Sequence, residues 1–205
     1  MKLYGTYPSH FCRKVRIVLA ELEIKYEFVV LKQIAEVGAE KFAQNPLHQY
    51  PVLEDGPLHL IESNIICEYL IETYGKNASL SYLPKSNQKF EDKKRFAIIN
   101  GTMDAGVKLI RAKRSEIPNF EKFTMFQQDK EAFRAGMEWL DNDLGKRSIY
   151  YPGQFSMLEI TLMCLCEWTV FRDVLPNFKD HANLVHFVEE NKGRSSFLST
   201  HPSIG

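Results

Sequence analysis

A change in periodicity near residue 80 constrains the fold of this chain more than any other feature. Residues 2–74 alternate short β-like runs with helical ones, whereas residues 87–200 carry almost only helical periodicity. With 205 residues the chain is long enough for one large domain or two small ones, and the change of pattern favours two. We predict three segments: a first domain over residues 1–78, a linker over 79–88 and an all-helical domain over 89–205.

The order of elements in the first half predicts a small α/β sheet. Helical spacing follows the first strand-like run, a short helix precedes Asn45-Pro46, and a last helix runs from Glu62-Ser63 to Tyr74. Four runs are predicted as strands: Lys2–Tyr4, Tyr26–Val30, Val52–Glu54 and Leu58–Ile61. A βαβ unit gives parallel strands, and the hairpin around Asp55-Gly56-Pro57 adds an antiparallel pair. The order βαβαββα therefore predicts a mixed four-stranded sheet.

Amphipathic helices account for the second half. One helical face carries the apolar residues Phe126, Phe133, Met137, Leu140 and Leu144. Ser156 stands three residues before Glu159, which is the capping-box arrangement at the start of a helix. Packing these helices together predicts an all-α bundle.

Composition excludes several kinds of partner. The chain has 26 basic and 26 acidic residues, so it lacks the positive charge on which sequence-independent binding to nucleic acid or anionic membranes depends. No signal-peptide core can be placed at the start, and no apolar run approaches the ~20 residues of a membrane-spanning helix. We expect a cytoplasmic protein that binds neither nucleic acid nor membrane.

The numbers and positions of cysteine and histidine residues fit a cytoplasmic protein without a metal site. Four cysteines lie inside apolar, helix-like runs, which suits reduced thiols better than a disulfide framework. The six histidines show no paired ligand spacing, and the chain has no Cys-x-x-Cys motif, so we expect no metal site.

The first candidate site joins the first strand to the first helix, over Tyr7-Pro8-Ser9-His10-Phe11-Cys12-Arg13. Open α/β sheets bind ligands beyond the carboxyl ends of their strands, where a helix N-terminus favours an anion. Ser9 and Cys12 keep the spacing of a Cys-x-x-Cys pair with the first sulfur replaced by oxygen. A hydroxyl there can cap the helix, or it can donate a hydrogen bond to the thiolate of a ligand. The segment alone leaves both interpretations open and favours the cap.

The second candidate site is Asn45-Pro46-Leu47-His48-Gln49-Tyr50-Pro51-Val52-Leu53. A cis Tyr50–Pro51 bond would expose the Tyr50 backbone to an extended peptide ligand, but a trans bond is the commoner form ahead of a strand. The sequence does not decide the isomer.

The third candidate site, Glu62-Ser63, opens the helix after the hairpin. These two residues can cap that helix, or they can grip the amino and carboxylate groups of an amino-acid-like ligand.

In this order, and ahead of an all-helical half, the three motifs resemble the cytosolic glutathione S-transferase family of bacterial type, whose N-terminal domain has a thioredoxin-like fold. Ser9-His10-Phe11-Cys12-Arg13-Lys14-Val15-Arg16 is similar to the family's Ser-Pro-(Phe/Tyr)-x-Arg-Lys-Val-Arg, except at His10, where proline is usual. The second motif is similar to the family's Asn-Pro-x-His-x-Ile-Pro-x-Leu, with Tyr50 in the place of Ile, and Glu62-Ser63 stands where the family has its Glu-Ser pair. Arg194-Ser195-Ser196-Phe197 is similar to its Arg-Pro-Ser-Phe.

The resemblance implies roles for these residues. Ser9 would stabilise the thiolate of glutathione, and Tyr50 with a cis Pro51 would pair with the cysteinyl backbone. Glu62 and Ser63 would hold the γ-glutamyl end, and His48 would reach the glycine carboxylate. The implied glutathione-binding set is Ser9, Phe11, His48, Gln49, Tyr50, Pro51, Glu62 and Ser63.

The activity implied is transfer of glutathione to a small hydrophobic electrophile, with the helical half contributing the electrophile site and the protein forming a homodimer. Tyr7 is the alternative to Ser9 as the thiolate contact. Two other functions stay open: a non-catalytic regulatory or interaction module of the same fold, and a glutathione-dependent isomerase or peroxidase.

Overall fold

The computed structural model describes residues 1–31, 38–175 and 177–204, and the chain divides into two compact units. The first unit contains Met1–Tyr82 together with the C-terminal segment that begins at Arg194, and the second contains Leu83–Gly193. This division differs from the predicted helical domain over 89–205 at its C-terminal end, where the last segment groups with the α/β unit.

Contacts with the first helix explain why the C-terminal segment groups with the first unit. The Arg194 guanidinium donates two hydrogen bonds of 2.6 Å to the carboxylate of Glu21. Arg13, which is almost fully buried, donates to the carbonyl of Phe197 at 3.2 Å and to the hydroxyl of Thr200 at 3.4 Å. These charge-assisted bonds hold the end of the chain against the helix that carries Arg13.

The first unit contains the predicted mixed sheet of four strands, in the order β2-β1-β3-β4. These strands are β1 (Lys2–Gly5), β2 (Glu27–Val30), β3 (Val52–Asp55) and β4 (Leu58–Ile61). β1 runs parallel to β2 and antiparallel to β3, and β3 forms the hairpin with β4. A further short strand, β5, covers Leu80–Ser81.

Three α-helices of the first unit complete a thioredoxin-like fold: α1 (His10–Glu21), α2 (Ser63–Tyr74) and the short α7 (Ser195–Leu198). α1 buries the apolar face formed by Val15, Val18 and Leu19 and packs against α2 and α7. The short helix predicted before Asn45 is a 3-10 helix, Ala39–Phe42. The element order expected from the sequence is thus confirmed.

The second unit is helical. Its elements are α3 (Lys89–Arg114), α4 (Thr124–Leu144), β6 (Phe155–Ser156), α5 (Met157–Arg172) and α6 (Ala182–Asn191), with 3-10 helices at Phe120–Lys122 and Phe178–Asp180. α3 packs against α4 and α5, and α6 packs against α4 and α5. A Cβ on Gly136 would lie 2.1 Å from the Thr102 hydroxyl, so glycine there allows α3 and α4 to approach closely.

α5 is the central helix of this bundle. Leu158, Leu162 and Leu165 are fully buried, as are most residues between Met157 and Thr169. Within the described ranges, no helix is both long enough and apolar enough to cross a membrane.

Candidate functional site

The register of the sheet brings the three sequence motifs to one edge. Tyr4 in β1 pairs with Val52 in β3, and Val52 pairs with Ile61 in β4. The first motif follows Tyr4 near the end of β1. The second motif comes just before Val52 at the start of β3, and the third motif follows Ile61 at the end of β4. Motifs that lie far apart in the sequence therefore meet at one end of the sheet.

Ser9 is the N-cap of α1. Its backbone is extended, with φ −82° and ψ 117°, and its hydroxyl accepts a hydrogen bond from the Cys12 N–H at 3.2 Å. A hydroxyl has two acceptor positions and one donor, so this cap leaves the O–H proton available to donate. Ser9 is partly exposed. The capping interpretation is therefore correct, and it does not exclude a ligand.

Cys12 lies beneath the Ser9 cap and is fully buried. Burial raises the pKa of the Cys12 thiol to about 11, although the Ser9 hydroxyl, the Thr6 backbone and Arg16 act in the opposite direction. The thiol is therefore protonated near neutral pH, which disfavours it as a reactive thiolate. A Cβ on Gly5 would lie 2.4 Å from the Cys12 sulfur, so the last residue of β1 has to be small.

Tyr7 stands in the loop between β1 and α1. Its ring packs edge-on against Phe28, with centroids 4.9 Å apart, and the Arg16 guanidinium lies 4.8 Å from its centroid. The phenol ring is thus positioned by two neighbours. Ser9, in contrast, is positioned by the start of the helix itself.

Asn45 organises the loop before β3. It is buried, its amide donates to the Gln49 carbonyl at 2.7 Å, and its side-chain oxygen accepts from the Leu47 N–H at 2.9 Å. The Tyr50–Pro51 bond that follows is cis. The structure thus answers the question that the sequence left open at this bond.

The ring of Phe42 positions two side chains of the same loop. His48 stacks on it with ring centroids 5.8 Å apart, and Tyr50 stacks on it at 6.3 Å. The backbone of His48 is left-handed, with φ 51°, and both His48 and Gln49 are exposed. Two of the predicted ligand contacts therefore lie on an accessible surface.

Glu62 and Ser63 form the start of α2. The Glu62 carboxylate accepts from the N–H groups of Asn64 and Ile65, at 3.0 Å and 3.2 Å, and from the Ser63 hydroxyl at 3.2 Å. Glu62 has φ 70°, a left-handed conformation that costs energy in a residue other than glycine. Glu62 is exposed and Ser63 is buried.

A buried lysine links the first and third motifs. Lys14, on α1, donates from Nζ to the Asn64 side-chain oxygen at 2.7 Å, and its ammonium lies 5.4 Å from the ring centroid of Phe11. α1 and α2 therefore meet close to the residue that follows Glu62-Ser63.

Sequence reasoning did not assign roles to Asn45, Phe42, Gly5 and Lys14, although each of them shapes this edge. Asn45 and Lys14 stood inside motifs that were attributed to family pattern, and neither residue type reveals a buried partner. Gly5 carried the clearest signal, because a glycine at the end of a strand often marks a close approach of another chain segment.

Two pockets among the described residues lie in the second unit. The larger of the two, of about 260 Å³, is lined by apolar, polar and charged side chains: Leu109, Phe120, Phe126, Glu121, Gln127, Lys130, Glu131 and Arg134. The smaller, of about 220 Å³, is lined by Ile110, Lys113, Arg114, Phe171 and Arg172. No group of three or more histidine, cysteine or acidic side chains in the described part of the chain is placed to hold a metal ion.

The chain combines a thioredoxin-like unit, which carries three loop motifs at one edge of its sheet, with a helical unit. This is the architecture of two-domain proteins of the glutathione transferase class. Residues 3–78 match the family model for the glutathione S-transferase N-terminal domain. Among curated proteins, the chain is 31% identical over 207 residues to the uncharacterized GST-like protein YibF of Escherichia coli K12, with 98% of each chain covered. The chain belongs to the glutathione S-transferase family.

Further relatives agree with this assignment. The chain is 26% identical over 189 residues to glutathione S-transferase U17 of Arabidopsis thaliana, covering 87% of this chain and 78% of that one. A glutathione S-transferase structure from Methylobacillus flagellatus with glutathione bound is similar at a TM-score of 0.81 and 27% identity, with 98% of both chains covered. A second, from Methylobacterium radiotolerans in complex with glutathione sulfonate, has the same fold at a TM-score of 0.83 and 21% identity, covering 100% and 95%.

Proposed function

We propose that this protein is a glutathione transferase of bacterial, serine type, in which Ser9 stabilises the thiolate of bound glutathione. One observation carries the proposal: the Ser9 hydroxyl accepts from the Cys12 N–H, and no carboxylate in the first turn of α1 accepts from its O–H, so the O–H can turn to a ligand. A serine at a helix N-terminus, beyond the carboxyl end of β1, meets an anion with both an O–H donor and the positive end of the helix.

The required stabilisation is within reach of these groups. An unperturbed thiol has a pKa near 8.5, and lowering it by about two units takes roughly 2.7 kcal/mol of preferential stabilisation of the anion. A charge-assisted hydrogen bond supplies about 1.5–3 kcal/mol and a helix terminus adds about 0.3–1 kcal/mol. Catalysis would then consist of adjusting a pKa and positioning two reactants.

The other predicted residues would hold the rest of the tripeptide. Tyr50 and Pro51 pair with the cysteinyl backbone, and Glu62 and Ser63 hold the γ-glutamyl end. Support comes from the placement of both motifs at the edge where Ser9 lies. Glu62 is exposed and its carboxylate is already oriented by three donors, which suits a contact with an ammonium group.

The remaining contacts are with accessible side chains. His48 reaches the glycine carboxylate beside Gln49, and Phe11 forms part of the pocket wall near the thiol. Glutathione acts as co-substrate and no metal takes part. Support for the ligand comes from the Methylobacillus flagellatus relative, whose structure has glutathione bound.

The reaction joins the glutathione sulfur to an electrophilic carbon. The thiol proton leaves to solvent, the thiolate forms the new S–C bond, and the leaving group departs with its electron pair. Apolar side chains of the helical unit would supply the site for a small hydrophobic electrophile. We further propose that the protein acts in the cytoplasm as a homodimer, for detoxification.

The test is retention on glutathione-agarose followed by a conjugation assay with 1-chloro-2,4-dinitrobenzene. We expect retention and turnover by the wild type, loss of turnover in Ser9→Ala, and nearly unchanged turnover in Tyr7→Phe. Loss in Tyr7→Phe with retention in Ser9→Ala would assign the thiolate to the tyrosine. Absence of glutathione binding by the folded wild type would overturn the proposal, and binding without turnover would favour isomerase or peroxidase chemistry or a regulatory module.

A further inference from the structure

Arg16 is a buried cation in the second turn of α1. The residue is 6% exposed, and its Nε and Nη1 atoms are buried without hydrogen-bond partners among the described residues. Its guanidinium lies 4.8 Å from the ring centroid of Tyr7 and 5.2 Å from that of Phe28. Two aromatic rings therefore hold the charge through cation–π contacts.

No ion pair joins Arg16 to a carboxylate of the described residues. Its guanidinium lies over the Tyr7 ring, and burial raises the pKa of the nearby Cys12 thiol to about 11. Of the described carboxylates on α1 and the elements next to it, Glu21 is bound by Arg194, Glu62 caps α2, and Glu54 and Asp55 on β3 accept from tyrosines. Glu27, Glu68 and Glu72 are exposed. A buried charge that no described carboxylate pairs with is costly, so its retention indicates a use.

The sign of the charge is also unusual for its place on the helix. α1 has no acidic residue in its first turn, whereas Arg13, Lys14 and Arg16 are buried in its first two turns. Cations near a helix N-terminus oppose the helix dipole and weaken the helix. An anion bound at Ser9 would be attracted both by these cations and by the positive end of the helix, which offsets that cost. Violations of a local rule are expected at functional sites.

The direction of the side chain brings the charge toward that anion. Side chains on a helix lean toward its N-terminus, and the contact with Tyr7 shows that the guanidinium reaches back to the loop before Ser9. Ser9 and Arg16 are separated by about 10 Å of helix rise. At that distance a unit charge in an effective dielectric of about 20–40 shifts a pKa by about half a unit to one unit.

We propose that Arg16 is a positioning residue of the glutathione site, whose charge, held between Tyr7 and Phe28, favours the thiolate form of glutathione bound at Ser9 without touching it. The inference rests on the proposed function. It adds a second source of thiolate stabilisation to the hydroxyl of Ser9.

The test measures the pKa of enzyme-bound glutathione from thiolate absorbance near 240 nm as the pH is varied. Two neutral variants, Arg16→Gln and Arg16→Met, are compared with Arg16→Lys, which keeps the charge. Arg147→Gln is the matched control, because this arginine also lies over a ring, 5.9 Å from the centroid of Tyr150, but in the helical unit. Circular dichroism selects the variants that fold.

We expect the neutral variants to raise the pKa of the bound thiol by about half a unit to one unit, and to lower kcat/KM for 1-chloro-2,4-dinitrobenzene about three- to tenfold below that pKa. Arg16→Lys should stay near the wild-type pKa, and Arg147→Gln should match it. A folded neutral variant with the wild-type pKa, or an Arg16→Lys variant as shifted as Arg16→Gln, would overturn the inference and leave the proposed function standing. A wild type without any bound thiolate would overturn both.

Discussion

Two serines cap helices in this protein, and their surroundings differ. Ser9 caps α1 in the first unit and is partly exposed, with one neighbouring backbone N–H bound to its hydroxyl. Ser156 caps α5 in the second unit and is fully buried. Its hydroxyl accepts from the Leu158 N–H at 3.2 Å and donates to the Glu159 carboxylate at 2.7 Å.

The difference lies in where the hydroxyl proton goes. The Ser156 hydroxyl donates to the Glu159 carboxylate, and the Glu159 carboxylate also accepts from the Ser156 N–H, which completes a reciprocal capping box. No acidic side chain stands in the first turn of α1, so Ser9 has no such acceptor there. A cap that is complete within the protein serves stability, whereas a cap whose O–H is not bound by a carboxylate can serve a ligand as well.

The largest expected effect is on stability and comes from Glu159→Ala. The buried Glu159 carboxylate accepts from the Ser156 N–H and hydroxyl and from the Tyr150 N–H. Removing it leaves these buried donors unsatisfied, and we expect the free energy of unfolding in urea to fall by about 3 kcal/mol. The pKa of bound glutathione should not change.

Glu131→Ala is the control for this prediction, because Glu131 is an exposed carboxylate paired with Arg134. Its loss should leave the free energy of unfolding unchanged within the error of the measurement, because exposed ion pairs are screened by solvent. Equal effects of the two substitutions would mean that the capping box of α5 contributes no more than a surface ion pair.

The second expected effect tests the packing beneath the open cap. In Gly5→Ala, the new Cβ would meet the buried Cys12 sulfur at 2.4 Å, and we expect the free energy of unfolding to fall by about 2 kcal/mol. Adding Cys12→Ala removes the sulfur and should restore part of that loss. An additive double variant would show that the two side chains do not compete for this space.

The smallest expected effect concerns the other end of α1. Burial alone would raise the pKa of Glu21, but hydrogen bonds from Arg194 and Ser196 hold it below its usual value of 4.5. A carboxyl whose folded pKa is lowered stabilises the protein above its unfolded pKa, and this contribution is lost as the pH falls through the folded value. Glu21→Gln should therefore cost about 1 kcal/mol at pH 7.

The cost of Glu21→Gln should shrink as the pH falls below about 4.5, because the wild type then loses the same interaction. Urea unfolding of both proteins at pH 7 and pH 3 measures this. A cost that stays constant between the two conditions would contradict the ionic role of Glu21 in anchoring the C-terminal segment.

Local patterns predicted much of this molecule. Asp55-Gly56-Pro57 between two short apolar runs marked the β3–β4 hairpin, and Ser156-x-x-Glu159 marked the start of α5. Both features depend on interactions between residues a few positions apart, so the sequence displays them directly. The three site motifs were also found locally, and their shared place at one edge followed from the sheet register.

Contacts between residues that are far apart in the sequence could not be predicted from local patterns. The return of the C-terminal segment to the first unit depends on Arg194 meeting Glu21, and no periodicity connects them. The cation–π contacts of Arg16 with Tyr7 and Phe28 join a helix to a loop and a strand. The cis isomer of Tyr50–Pro51 could not be predicted from the dipeptide, because X-Pro bonds occur in both isomers.

The most direct test of the difference between the two caps is a paired titration of Ser9→Ala and Ser156→Ala. Each substitution removes one N-cap hydroxyl and should lower the free energy of unfolding by about 1 kcal/mol. In Ser9→Ala the pKa of bound glutathione should rise by at least about one unit toward the unperturbed value near 8.5, because the charge-assisted hydrogen bond is the largest contribution and the helix terminus and Arg16 remain. In Ser156→Ala it should equal that of the wild type. An unchanged thiol pKa in a folded, glutathione-binding Ser9→Ala protein would contradict the role assigned to the open cap.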